Sequence, residues 1–265
     1  MPIITISRGS YSKGEMVGRK VAKKLGFECI GREALLEASK EFNIPEIKLV
    51  RAIHDAPSIL DRHIGGRERY IAYIQAALLR YFKKDNVVYH GLAGHFFVKG
   101  ISHALKARIT ADLEDRVKWE MEREGLSKEE ALLLLKMDDK ERRRWSKCLY
   151  GIDNADPSLY DLVIHIGKIT VEEAADIIIQ TVRLNGFKTT AASQRAIDDL
   201  ALAAEVKASL VSLNLDIEVS AQDGMVCVRT MTSEAENPAF IQRIKRTAER
   251  ISGVKEVHLR VGVNL

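Results

Sequence analysis

The sequence predicts an α/β protein built on a parallel sheet, with a small α+β unit after it. Three observations carry this. Up to about residue 183, short apolar runs alternate with segments of helical periodicity. Strands separated by helices form βαβ units, whose helices cover both faces of a parallel sheet. The stretch Arg183-Leu184-Asn185-Gly186-Phe187-Lys188-Thr189-Thr190 then interrupts the pattern with Asn, Gly and Thr. Beyond it the order becomes helix, strand, turn, strand, helix, strand, an αββαβ unit. The expected domains are residues 1–185 and 193–265.

The elements follow in order. Ile3-Ile4-Thr5-Ile6 is a short apolar strand, and an amphipathic helix follows over 16–25. Further apolar runs predict strands at 27–30, 87–90, 106–111 and 160–166. Apolar residues at helical spacing predict helices over 68–82, 113–123, 128–137 and 171–184. In the second unit we expect a helix over 195–210, strands at 216–220 and 225–231, a helix over 238–251 and a strand at 257–263. Asp223-Gly224 between two alternating runs is a strong hairpin signal.

Between the first strand and first helix lies Ser7-Arg8-Gly9-Ser10-Tyr11-Ser12-Lys13-Gly14. Backbone N–H groups at a helix N-terminus carry partial positive charge, so such a loop can hold a phosphate. Gly9 and Gly14 allow close approach, the serines offer hydroxyls, and Arg8 and Lys13 offer charge. The spacing is not G-x-x-x-x-G-K-[ST], because Gly14 follows Lys13. Phosphate binding and an ordinary βα turn both fit the residues.

Net charge is +4, and 46% of the 265 residues are hydrophobic, enough for a sizeable core. The charge is uneven: 9 Lys/Arg against 10 Asp/Glu from Thr190 onward leave 32 against 27 before it. This surplus fits a small anionic ligand rather than a nucleic-acid groove. The 3 cysteines, Cys29, Cys148 and Cys227, lie far apart with no metal-ligand spacing. With no apolar run of membrane-spanning length and no apolar leader after Met1, we expect a cytoplasmic protein without membrane contact.

Residues 112–150 carry the densest charge. Arg142-Arg143-Arg144 spread around a helix, so at least one points at the protein body. Guanidinium matches phosphate oxygens bidentately. A helical hairpin closing over a phosphate loop would use such arginines; a surface ion-pair network uses them too. Asp139 and Arg142 stand one turn apart and can pair. His90 and His95 flank a Gly91–Gly94 loop and could bond a base or phosphate, or pack in the core. Trp119 and Trp145 are expected to pack this hairpin.

Over about 2–183 the chain resembles the cytidylate kinase-like proteins, relatives of bacterial CMP kinase among P-loop nucleoside monophosphate kinases. The resemblance rests on ITISRGSYSKGEMVGRKVAKKLGF, the helix GREALLEASKEFNI, NVVYHGLAGHFFVKG, ITADLEDRV and DDKERRRWSKCLYGIDNADPSLYDLVIHIGKITVEEAADIII. It implies a P-loop kinase core, a five-stranded parallel sheet with a helical lid. It implies ATP-dependent phosphoryl transfer, with Mg²⁺, to CMP or a similar small acceptor. On this resemblance Arg8, Gly9, Ser10, Ser12, Gly14 and Arg143 hold the donor phosphates. Lys13 holds them too; Arg116, Arg142 and Arg143 neutralise the transferred group, Asp139 orients the lid arginines, and Asp161 acts from the end of the fifth strand.

The chain also departs from the family pattern. A Gly-Ser-Gly-Gly-Arg-type loop is replaced by Tyr11-Ser12-Lys13-Gly14-Glu15. Glu15 is expected to repel a donor phosphate. Gly31 stands where the family has an acidic residue, and Gly91-Leu92-Ala93-Gly94 replaces Gly-Arg-Gly-Ala. These changes admit a second reading, a catalytically silent nucleotide sensor. Residues 193–265 resemble a BON domain through the hairpin LDIEVSAQDGMVCVRTMTSEAENPAF and the closing ISGVKEVHLRV. That implies an interaction or regulatory module, serving self-association or a protein partner.

Overall fold

The computed structural model describes residues 2–46, 48, 49, 66–213, 217–230 and 237–261. Five parallel strands form the main sheet: β1 (Ile3–Arg8), β2 (Glu28–Ile30), β3 (Val87–His90), β4 (Ala104–Ala111) and β5 (Leu162–Ile166). Their order is β2-β3-β1-β4-β5. Ile6 pairs with His90 on one side and Ala107 on the other. The chain goes from β1 outward to β2, returns to β3, and crosses β1 to reach β4. β1 is therefore a topological switch point, where a crevice opens beyond the strand C-termini.

Alternation along β1 divides the core. Ile4 and Ile6 pack with α1 (Gly14–Leu25) and α7 (Val171–Val182) on one face. Ile3 packs on the other face with α2 (Glu33–Glu41), α3 (Gly66–Lys83) and the single turn α4 (Gly94–Phe97). Two lid helices follow β4, α5 (Leu113–Glu124) and α6 (Lys128–Tyr150). Ser127 and Glu130 close a capping box at the start of α6, satisfying two orphan donors reciprocally.

The expected helix over 128–137 runs on to Tyr150. Its second half buries Arg142, Trp145 and Ser146 instead of aliphatic residues, so hydrophobic periodicity is silent there. Of the three consecutive arginines, Arg142 is buried and Arg143 and Arg144 are exposed.

The second unit contains α8 (Ala191–Leu210), β6 (Ile217–Gln222), β7 (Met225–Thr230), α9 (Pro238–Glu249) and β8 (Glu256–Val261). Its three-stranded sheet has the order β6-β7-β8. Gln222 pairs with Met225 across the turn, where Asp223 and Gly224 both have positive φ, the geometry of a two-residue hairpin loop. The strand expectations at residues 216, 231, 262 and 263 lie outside the described residues. Helix α8 belongs to two cores. Val206 and Leu210 pack on the small sheet, while Ile197, Ala201, Ala204, Ala208 and Val211 join the core around α3.

Candidate active site

Residues Gly9–Lys13 form the loop at the switch point, between β1 and α1. Tyr11 has φ 57° and Lys13 φ 61°. Left-handed backbone costs an L-residue roughly 1–2 kcal/mol. On the resemblance given above, both residues stand where glycine is expected, and here the left-handed path is taken without it. Three ties over-determine it. Gly9 N–H donates to Ile109 O at 3.0 Å. Ser12 Oγ lies 3.0 Å from Gly9 O and 2.8 Å from Ile109 O. Arg123 stacks on the Tyr11 ring at 4.3 Å.

The lid closes on this loop through charge-assisted contacts. Arg116 Nε donates to Ser10 O at 2.7 Å, and its Nη2 donates to Asp139 Oδ2 at 2.7 Å. Asp139 Oδ1 receives the Ser10 amide at 3.1 Å. Burial alone would raise the Asp139 pKa, but Arg116 and Ser10 hold it below the usual carboxylate range. Arg142 Nη1 donates to Arg8 O at 3.3 Å. Asp139 therefore pairs with Arg116 rather than with Arg142, whose neighbouring carboxylate is Asp138 at 4.0 Å.

Arg142 is only 8% exposed, and its Nε has no hydrogen-bond partner. Burial and the adjacent Arg8 push its pKa down. The hydroxyl of Ser10 is also buried and unpartnered. Unmet donors beside two guanidinium groups suit an anion with several oxygens. The residues thus fit a phosphate chain. Among the described residues Asp139 is the one carboxylate lining the pocket at this loop, so a magnesium ion would be held mainly by phosphate and water, as is usual for it.

Two pockets meet at these arginines. The smaller, about 230 Å³, is lined by Gly9, Arg108, Arg116, Asp139 and Arg143. The larger, about 670 Å³, extends over Glu15, Arg19, Gly31, Glu33, His90 and Leu92. Arg8 and Arg142 line both.

The structure thus gathers Arg8, Gly9, Ser10, Ser12, Arg116, Asp139, Arg142 and Arg143 around the loop. Gly14 serves as a packing position: a Cβ there would stand 2.8 Å from Arg8 Cβ. Lys13 is placed elsewhere, with Nζ 3.7 Å from the Trp119 ring centroid. Asp161 is not brought to the site. It precedes β5, at the opposite end of the strand from the crevice, and its carboxylate holds Lys106 N at 2.8 Å and Lys106 Nζ at 3.4 Å. Glu15 faces the larger pocket, 3.6 Å from Arg8 and 3.0 Å from Arg19. The expected conflict with the donor phosphate therefore falls on the other pocket.

Sequence reasoning missed Arg108 and its support. Arg108 Nη1 donates to Asn154 O at 2.8 Å and lies 3.3 Å from the Tyr160 hydroxyl. That hydroxyl lies 3.2 Å from Ser7 Oγ and 3.4 Å from His95 Nε2. An arginine inside a β4 run was the available signal. Trp145 packs with Phe96 and Tyr150, as expected of a lid residue.

Comparison with known proteins decides the family. The model of the cytidylate kinase-like family matches residues 3–168. The chain belongs to the cytidylate kinase-like family. A cytidylate kinase of Thermococcus kodakarensis is 32% identical over 164 residues, 62% of this chain and 78% of its own. One of Archaeoglobus fulgidus is 30% identical over 190 residues, 70% of this chain and 97% of its own. Among solved structures, an uncharacterized protein from Eubacterium ventriosum superposes with a TM-score of 0.51 at 25% identity, covering 69% of this chain and 98% of that one. The family and these cytidylate kinase relatives support a kinase of nucleoside monophosphate kinase type. No described helix is long and apolar enough to cross a membrane.

Proposed function

We propose that this cytidylate kinase-like protein transfers the terminal phosphoryl group of ATP, with Mg²⁺, to CMP or a similar small acceptor. One observation carries the reading. Arg8 and Arg142 stand where the two pockets meet, and Arg142 keeps an unmet donor there. Phosphoryl transfer needs positioning and charge neutralisation more than covalent chemistry from the protein.

In this reading Gly9, Ser10 and Ser12 shape the donor side, while Arg116 and Arg143 meet donor oxygens. Arg8 and Arg142 hold the group in transit. An acceptor oxygen bonds to the terminal phosphorus as the bond to the bridging oxygen breaks, and ADP leaves. Mg²⁺, when bound, would supply charge neutralisation to the phosphate chain. Asp139 positions Arg116. Lys13 joins the donor side only by leaving Trp119.

That parked lysine favours a second reading, a nucleotide sensor without turnover. For residues 193–265 we propose a BON-like interaction module, on its αββαβ order, serving self-association or a protein partner. The setting we assign is cytoplasmic.

The test is purified full-length protein with ATP and Mg²⁺ against CMP, UMP, AMP and GMP, following ADP release. Acceptor-dependent ADP release, lost in Arg142→Ala, is the expected result. ATP binding without acceptor-dependent release would select the sensor.

A further inference from the structure

We infer that His90 is a specificity-determining residue of the acceptor side and hydrogen-bonds the base of a nucleotide acceptor. The inference rests on the phosphotransfer reading of the two pockets. His90 ends β3 beside Ile6 of β1, at the rim of the crevice. It is 8% exposed, yet it lines the 670 Å³ pocket. No hydrogen bond ties its ring among the described residues.

Two glycines clear its place. A Cβ on Gly31 would stand 2.6 Å from His90 Cε1, and one on Gly18 would stand 3.2 Å from His90 Cβ. The charged groups around the ring are Arg8, Glu15, Arg19 and Glu33. Burial pushes the imidazole pKa down despite both carboxylates. A neutral imidazole offers one N–H donor and one nitrogen acceptor.

Of the other polar groups of this pocket, Arg142 keeps an unmet donor suited to the phosphate, whereas the carboxylates and Arg32 are committed. Glu15 faces Arg8 and Arg19, Arg32 binds Glu46, and Glu33 accepts the Gly31 amide at 2.7 Å. Leu35 and Leu92 add apolar surface. Arg8, Arg142, an uncommitted donor–acceptor ring and two leucines line one pocket, and together they match an anionic group joined to a flat heterocycle. Arg8 and Arg142 receive the phosphate, and His90 meets the edge of the base. A site built to bond a substrate group rejects analogues that lack it.

The test compares binding to the full chain of two probes by calorimetry: the tightest-bound of CMP, UMP, AMP and GMP, and ribose 5-phosphate, which has no base. The wild type is expected to prefer the nucleotide at least tenfold. His90→Leu should weaken the nucleotide about tenfold and leave ribose 5-phosphate and ATP within twofold. His90→Gln, which keeps a donor and an acceptor, should recover most of the loss. Equal loss for both probes, no loss for either, or no nucleotide preference in the wild type overturns the inference. Nucleotide selectivity carried by His90 without ADP release would overturn the phosphotransfer reading alone. ADP release with His90→Leu selectivity unchanged would overturn this inference alone.

Discussion

The Asp139 carboxylate on the lid receives the Ser10 amide of the loop at 3.1 Å, while its other oxygen binds Arg116. An anionic group thus lies on donors that a phosphate would use. Hydrogen bonds to charged groups contribute about 1.5–3 kcal/mol each, so a donor must replace these contacts as it enters. Asp139→Asn removes the competing charge and also loosens Arg116. We predict tighter binding of ATP or inorganic pyrophosphate, by three- to tenfold in calorimetry, together with slower turnover. Weaker binding would show that Asp139 only positions Arg116.

Arg142 should serve the group in transit more than either ground state. It is buried, lines both pockets and keeps Nε unpaired. Arg142→Ala is predicted to cut kcat by about 10³-fold, the scale of arginines that act in phosphoryl transfer. ATP affinity should change less than fivefold. Arg142→Lys should recover little, because an ammonium cannot span two oxygens as a planar guanidinium does. Near-normal kcat in Arg142→Ala would reduce the residue to a packing role.

Glu15 should tune the acceptor, not the donor. Burial acts to raise its pKa, but the Arg19 hydrogen bond and the charges of Arg8 and Arg19 bring it below the ordinary value. It is therefore a carboxylate at neutral pH and shares Arg8 with any incoming acceptor phosphate. Glu15→Gln is predicted to lower the acceptor KM three- to tenfold and leave ATP affinity within twofold. Steady-state kinetics with each substrate varied in turn separates the two. A change confined to ATP would return Glu15 to the donor loop.

The alternation of apolar runs and helices was enough to place all five strands of the main sheet, because each strand carries apolar residues that the flanking helices bury. The site was only partly legible. The loop read as a phosphate loop with wrong spacing, since Tyr11 and Lys13 show no sign in sequence of their left-handed backbone. Ala93, with φ 66° after β3, is a third such position. Lys13 was expected in the site because it is basic and adjacent. Its side chain is turned toward Trp119, 106 residues away, a contact no local pattern encodes. Asp161 was assigned to a strand end, but strand direction puts it at the far edge. Arg108 sat unnoticed in an apolar run because its partners, Asn154 and Tyr160, come from a distant loop.

Were units 1–185 and 193–265 independent, everything after Leu184 could be removed without harm to the first domain. The packing of α8 changes that expectation. Five α8 and flanking side chains, Ile197, Ala201, Ala204, Ala208 and Val211, sit in the core around α3. Arg80 of α3 also pairs with Glu205 at 3.2 Å. Burying one large aliphatic side chain is worth roughly 1.5–3 kcal/mol, and domains are marginally stable by only about 5–15 kcal/mol. Truncation after Leu184 is predicted to lower the thermal midpoint by more than 10 °C or to cause aggregation. Truncation after Leu213, which keeps α8, should restore most of the midpoint. Equal midpoints for the two truncations would show that α8 is dispensable to the first domain.

Acid should destabilise the protein through its buried histidines, and His95 should lead. Burial first, then the charges of Arg108 and Lys106, push its pKa down to about 3. The ordinary value is near 6.5. Between these two values the unfolded chain binds a proton that the folded chain refuses. Stability from this group is therefore fully present above about pH 6.5 and declines as pH falls toward 3, by at most about 1.4 kcal/mol per unit. His90 and His103 are also lowered by burial and add to the slope. His95→Gln keeps a polar group beside Tyr160 but cannot titrate. It is predicted to flatten the dependence of unfolding free energy on pH between 6.5 and 4, measured by urea denaturation, even where it lowers stability at pH 7. An unchanged slope in His95→Gln would mean that His95 is protonated in the folded protein, and that the buried network of Ser7, Tyr160 and Arg108 tolerates a second cation.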